Sequence, residues 1–103
     1  MKTISAQELQ TKIEESEDLC ILDVRAKEKF EKEHIKKENI ETMNIPKHMI
    51  FEDQPIALPK DKEIVVTCTT GNSARKCAAI LEEKGYAVTL LKGGITAWKE
   101  SNR

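Results

Sequence analysis

The chain has no excess of positive charge, no long apolar run and no paired-cysteine framework, and each absence closes off a class of function. Its formal net charge is -1, with lysines and glutamates interleaved as in "KEKFEKEHIKKE", so no basic surplus exists to neutralise a phosphate backbone and nucleic acid is not expected as a partner. No apolar stretch approaches the roughly 18 to 20 residues that span a bilayer, and the opening "MKTISAQELQ" turns polar where a secretory signal is apolar. The expectation is a cytoplasmic protein with no membrane partner, a monomer or a weak dimer. Cys20, Cys68 and Cys77 are odd in number and lack short paired spacing, which fits neither a disulfide scaffold nor a C-x-x-C metal or redox site. Free thiols and no metal centre follow from that pattern in a reducing compartment.

Aromatic residues are also scarce. Phe30, Phe51, Tyr86 and Trp98 are all there are among 103 residues, while apolar residues make up 39% and charged ones 34%; the core is therefore expected to be aliphatic. The length suits one domain, residues 1–103, with a single core. No linker, repeat or low-complexity tract interrupts it, and "FEDQPIALPKDKE", residues 51–63, reads as a surface loop.

What is present reads as alternating helices and strands. "SAQE" is a capping box, with Ser5 as cap and Glu8 reaching back, and Leu9 and Ile13 continue the apolar stripe of a helix over about Ala6 to Glu15. "LCILDV", residues 19–24, is too short for a helix and reads as a buried strand, with Cys20 in the core. "AKEKFEKEHI" suggests a short helix with Phe30 and Ala26 turned inward, and "ETMNIP" a weaker strand closed by Pro46. "EIVVTC" is a β-branched strand ending at Cys68. Ala74, Cys77, Ala78 and Leu81 then recur at helical spacing as far as Gly85, which is placed for a left-handed helix terminus. "AVTLL" is a further strand, and "ITAWKE", after "KGG", a last short helix. Apolar strands separated by helices predict an α/β domain with a mainly parallel sheet covered on both faces, whose ligands gather at the carboxyl ends of the strands.

Cys68 stands at such an end, where "VVTCTTGNSARKC" passes from strand to helix. A helix start offers unpaired N–H groups and the positive end of the dipole, worth about 0.3–2 kcal/mol to an anion. Thr69, Thr70, Gly71, Asn72 and Ser73 can wrap their amides around a central atom, with Gly71 free to take a positive φ. Such a nest favours the thiolate, the form in which cysteine attacks. On position alone, the simpler reading of Cys68 is a small apolar residue closing a strand, and it is the loop composition that shifts the balance.

"CTTGNS", residues 68–73, resembles the active-site loop C-x-x-G-x-[R/S/T] of rhodanese-like sulfurtransferases. "LDVR" (22–25) is similar to that family's strand ending in D-x-R, His34-Ile35 followed by Asn44-Ile45-Pro46 to its G-H-I…N-I-P segment, and "LKGGITAW" (91–98) to its closing L-x-G-G…W. The four motifs occur in the family's order and span nearly the whole chain. The resemblance implies a single three-layer rhodanese-like domain with a five-stranded, mainly parallel sheet. It implies a sulfurtransferase in which Cys68 takes a sulfane sulfur from a small donor, thiosulfate or a low-molecular-weight persulfide or polysulfide, and passes it to a thiol or protein acceptor. The amides from Thr69 to Ala74 would hold the persulfide, and no cofactor is needed.

Two departures carry expectations of their own. Glu33 stands where the family has Gly before His34, and "KKENIETM" lengthens the passage to Asn44. "CTTGNS" itself holds no Arg or Lys, so doubly anionic thiosulfate is expected to bind poorly unless Arg75, in the first helical turn, compensates. Lys92 with Gly93 and Gly94 forms a turn that the resemblance places near the loop, making Lys92 a candidate for attracting anions. Asp23 and Arg25 read as a structural pair, His34 as a packed histidine, and Cys77 as a buried position of the helix stripe. A cysteine phosphatase is the nearest chemical rival, but it uses C-x5-R, and six residues separate Cys68 from Arg75. A non-catalytic docking or sulfur-sensing module is the other alternative.

Overall fold

The computed structural model describes residues 1–15 and 18–103. Ser5 starts the first helix as expected: its hydroxyl accepts the Glu8 N–H at 3.0 Å and its own N–H donates to the Glu8 carboxylate at 2.8 Å, which satisfies donors that a helix start leaves unpaired. Helix α1 (Ala6–Glu14) then buries Ala6, Leu9 and Ile13. Ahead of it lies β1 (Lys2–Ile4), a strand the residue pattern does not announce, because only Ile4 of its three residues is buried and three residues carry no periodicity.

Strands β2 (Leu19–Asp23), β3 (Glu41–Asn44), β4 (Glu63–Thr67) and β5 (Val88–Leu91) complete one five-stranded sheet in the order β1-β5-β4-β2-β3, and every pairing is parallel. Parallel neighbours need crossovers that pack back on the sheet. Helices α2 (Lys27–Lys32), α3 (Lys47–Phe51), α4 (Asn72–Glu83) and α5 (Gly94–Ser101) lie in those connections and in the final segment. Successive strand residues point to opposite faces, so Leu22, Val66 and Leu90 pack with Ala74, Cys77, Ala78 and Leu81 of α4 and Ile50 of α3. Ile21, Val65 and Leu91 pack on the other side with Leu9, Ile13, Ile95 and Trp98 of α1 and α5. The expected three layers are thereby realised.

Two local differences have physical causes. Helix α3 begins immediately after Pro46, where the sequence reading stops; its first N–H, from Lys47, donates to the Val24 carbonyl at 2.9 Å and fixes it to the end of β2. Helix α2 buries none of its residues. Ala26 is exposed, and Phe30, a lone aromatic among charges, is half-buried and stacks on the His34 ring with centroids 3.9 Å apart. The lengthened passage before β3 is held by Ile40, which is buried, and by Asn39, whose side-chain amide donates to the Ile13 carbonyl at 3.1 Å. Register is kept as a result: Asp23, Asn44 and Thr67 pair side by side, aligning the carboxyl ends of three strands. Among the described residues no helix is long and apolar enough to cross a membrane.

Candidate active site

Cys68 follows the last residue of β4, and the chain turns back through Gly71, at φ 104°, directly into α4. The left-handed glycine lets the loop close within three residues, as its position predicts. The Gly71 N–H then points at the Cys68 Sγ at 3.0 Å and the Ala74 N–H at 3.4 Å. Two backbone donors and the start of a twelve-residue helix converge on one sulfur, an arrangement that favours negative charge there.

The loop is held rigid from behind. The Cys68 and Thr69 carbonyls accept N–H groups from Ile95 at 2.8 Å and Thr96 at 3.1 Å, so the donors at the start of α5 bind the loop's oxygens while those of α4 face its sulfur. Gly94 makes this possible: a Cβ there would meet the Cys68 oxygen at 2.3 Å.

The other motif residues act as struts. Asp23 is fully buried and its carboxylate pairs with the Arg25 guanidinium, with 2.8 Å from Nη2 to Oδ2 and 3.0 Å from Nε to Oδ1. Arg25 also donates to the Glu33 carbonyl at 2.8 Å. Asn44 donates its side-chain amide to the carbonyls of both Asp23 and Arg25 at 3.0 Å. Charges this buried need such complete pairing. His34 Nδ1 lies 2.7 Å from the Phe30 carbonyl oxygen, a packing role in keeping with the sequence reading. Glu33 runs extended at φ -164° and reaches Lys99 at 2.6 Å, which holds its exposed carboxyl below the usual range.

A cavity of about 380 Å³ opens over Cys68, which is 6% exposed at its floor. Thr69, Thr70, Asn72 and Ser73 form the loop wall, and Val24, Arg25 and Ala26 the wall opposite. Positive charge, absent from the loop, comes from other elements: Lys29 of α2 and Lys47 of α3 line the cavity, and the Lys47 ammonium sits 3.4 Å from the Ser73 hydroxyl. Neither lysine was singled out from sequence. The only signal for Lys47 is its position after "NIP", and that becomes informative once α3 is known.

Of the residues named from sequence, Cys68 and the stretch Thr69 to Ala74 come together. Arg75 does not join them: it is exposed and lies outside the cavity lining, its N–H closing the first helical bond to the Gly71 carbonyl at 3.0 Å. Ala74 is buried, and the next residue on a helix turns about 100° away from it. Lys92 is exposed and outside the lining too; its charge adds to the Ser5 hydrogen bonds that hold the Glu8 carboxyl down, at the start of α1. A larger hollow of about 490 Å³, beside His34 and Trp98, contains no cysteine.

Two of the three thiols lie outside the cavity. Burial pushes both Cys20 and Cys77 up to about 11, and Cys77 is raised further by nearby Cys68. Both therefore stay protonated well above neutrality and are fully buried. Iodoacetamide at pH 8 should modify Cys68 at least about tenfold faster than either of the others, as read by peptide mass mapping of the folded protein. Equal labelling of Cys77 would show that α4 opens readily.

Residues 5–101 match the model of the rhodanese-like domain family. The chain is 33% identical over 100 residues to YtwF of Bacillus subtilis, to which sulfurtransferase activity is ascribed, covering 96% of this chain and 91% of that protein. It is 29% identical over 99 residues to a protein of Allochromatium vinosum named sulfurtransferase, covering 92% of this chain and 85% of the relative. The crystal structure of a rhodanese-like domain protein from Staphylococcus aureus superposes with a TM-score of 0.78 at 28% identity, covering 95% and 91% of the two chains. A thiol seated among helix-start amides at the carboxyl edge of this sheet, with the family match across nearly its full length, establishes that the chain belongs to the rhodanese-like domain family.

Proposed function

We propose that the chain is a sulfurtransferase that takes a sulfane sulfur from thiosulfate or a low-molecular-weight persulfide or polysulfide, carries it on Cys68, and gives it to a thiophilic acceptor. The observation that carries this reading is the convergence of the Gly71 and Ala74 N–H groups on the Cys68 Sγ beneath an open cavity. In the first step the Cys68 thiolate attacks the outer sulfur of the donor. A new S–S bond forms at Sγ and the donor's own bond to that sulfur breaks, its electron pair leaving on sulfite or on a thiolate, which takes up a proton. The persulfide is an anion one atom longer than the thiolate. Thr69, Thr70, Asn72 and Ser73 surround the space it enters, while the Gly71 and Ala74 amides, aimed at Sγ, stabilise the thiolate before it attacks and again as it departs, without reorganising. In the second step an acceptor thiolate, or cyanide in an assay, attacks the terminal sulfur and Sγ departs as thiolate, restoring the start. Substrates are a small donor and a small thiol or a protein acceptor, and the reaction suits the cytoplasm, where thiols stay reduced.

A phosphatase needs an Arg closing over the anion, and Arg75 lies outside the cavity lining. A docking module needs neither the cysteine nor the amide nest. The test is steady-state transfer to cyanide, read as thiocyanate. Turnover with at least one donor is expected, and no transfer from thiosulfate, glutathione persulfide or polysulfide would instead favour the docking module.

A further inference from the structure

The Cys68 cavity does not end at its own walls. Val24, Ala26 and Lys47 also line a second hollow of about 350 Å³ that runs past Pro46 and His48, so the two adjoin, with Lys47 at their border. The half nearest the sulfur is rich in loop hydroxyls and amides. The far half is mostly apolar, walled by Val24, Ala26 and Pro46, with Lys27, Glu28 and His48 at its rim. Thiosulfate is a single small oxyanion and uses only the first half, whereas a groove of this combined size is what organic ligands occupy.

Charge at the junction narrows the choice. Arg25 is already matched by Asp23 and adds little net charge, Lys27 faces Glu31 at 4.0 Å, and Glu28 lies at the far rim. Lys47 and Lys29 are different: among the described residues neither forms an ion pair with a carboxylate, and Lys47 is steadied by the Ser73 hydroxyl of the catalytic loop. An exposed cation between a sulfur site and an apolar trough is complementary to a ligand with a carboxylate a few bonds from its sulfur and an organic body beyond.

The geometry points to an organic, carboxylate-bearing persulfide as the preferred donor of this site, with Lys47 as the specificity-determining residue that pairs with its carboxylate and the Val24–Pro46 trough holding its body. This rests on the sulfurtransferase reading above, and the two fail differently. Binding is measured on Cys68→Ser, which cannot turn over, using S-methylglutathione as an unreactive probe and amide NMR shifts as readout. Shifts at residues 26, 47 and 48 are expected alongside those of the loop. Lys47→Glu should weaken binding about fivefold or more, and Lys47→Arg should keep it within about threefold, an exposed charge contact being worth up to about 1 kcal/mol and the reversed charge adding repulsion. In the Cys68 protein, Lys47→Glu should raise KM for glutathione persulfide far more than it lowers kcat. His48→Glu, at the trough's rim, should reduce kcat/KM for that donor several-fold more than for thiosulfate. Probe shifts confined to the loop, or equal loss for both donors in His48→Glu, overturn the groove. If the probe binds as described but no donor supports turnover, the sulfurtransferase reading fails and the binding site stands.

Discussion

Cys68→Ser loses sulfur transfer by about a thousandfold or more with every donor while the fold is kept, as judged by an unchanged denaturant midpoint to within about 1 kcal/mol. The size follows from the role: the thiolate is the atom on which both steps turn, a serine hydroxyl remains protonated at neutral pH, and removing a nucleophile costs enzymes several powers of ten. The retained stability follows from the surroundings. Oxygen is smaller than sulfur and can still accept from the Gly71 N–H, which leaves no buried donor orphaned. A fall of only a few-fold would mean that the sulfur is carried elsewhere, and Cys77, which is raised in part by the nearby Cys68, is the thiol to examine first.

The second large effect lies at Gly94. An added methyl group would stand 2.3 Å from the Cys68 oxygen and 2.7 Å from the Thr69 oxygen, in a backbone at φ 59°. Those neighbours are backbone atoms bonded to the N–H groups of Ile95 and Thr96, so no side chain can swing aside. Gly94→Ala should cost on the order of 3–4 kcal/mol, lowering Tm by roughly 10–25 °C for a domain of this size. Because relief requires α5 to part from the loop, transfer activity should fall even at temperatures where the variant is folded. Gly85→Ala is the internal comparison: it also sits at positive φ, 94°, but nothing lies within 4 Å of its added Cβ. It should cost only about 1–2 kcal/mol, the left-handed penalty alone. Equal losses at the two positions, measured by urea denaturation, would show that the contact with the Cys68 and Thr69 carbonyls is not what matters.

How legible this was from residues alone varied with the length scale of the signal. β2, β4 and β5 are apolar runs with clear ends, and α1 and α4 carry regular stripes and recognisable termini, so their order and type could be read directly. β1 could not, because one buried residue in three leaves no pattern, and its place beside β5 is set by pairing rather than by its own sequence. α3 was hidden by Pro46: a proline stops a ladder, but it also precedes a helix well, and which of these holds depends on the Val24 carbonyl that receives the Lys47 N–H. Phe30 was misplaced for a related reason, since its partner is His34 on the rim rather than the core.

The site shows the same division. Everything contributed by the strand-loop-helix unit was visible, because Cys68, Gly71 and the start of α4 are neighbours in the chain and their geometry follows from local backbone rules. Arg75 belonged to that stretch but not to the site, a matter of helical phase. Lys29 and Lys47 belong to the site but not to that stretch; they arrive on α2 and α3 from the far side of the cavity. The positive charge that the loop lacks is therefore carried on α2 and α3 rather than on Arg75.

The most direct measurement is the intact mass of the folded protein after brief exposure to glutathione persulfide and removal of excess donor, with and without prior alkylation. The mechanism requires the mass to rise by one sulfur in the Cys68 protein, to return on adding a thiol acceptor, and to stay unchanged in Cys68→Ser or after Cys68 is blocked. A sulfur gained equally by Cys68→Ser, or one that no acceptor thiol can remove, would contradict it.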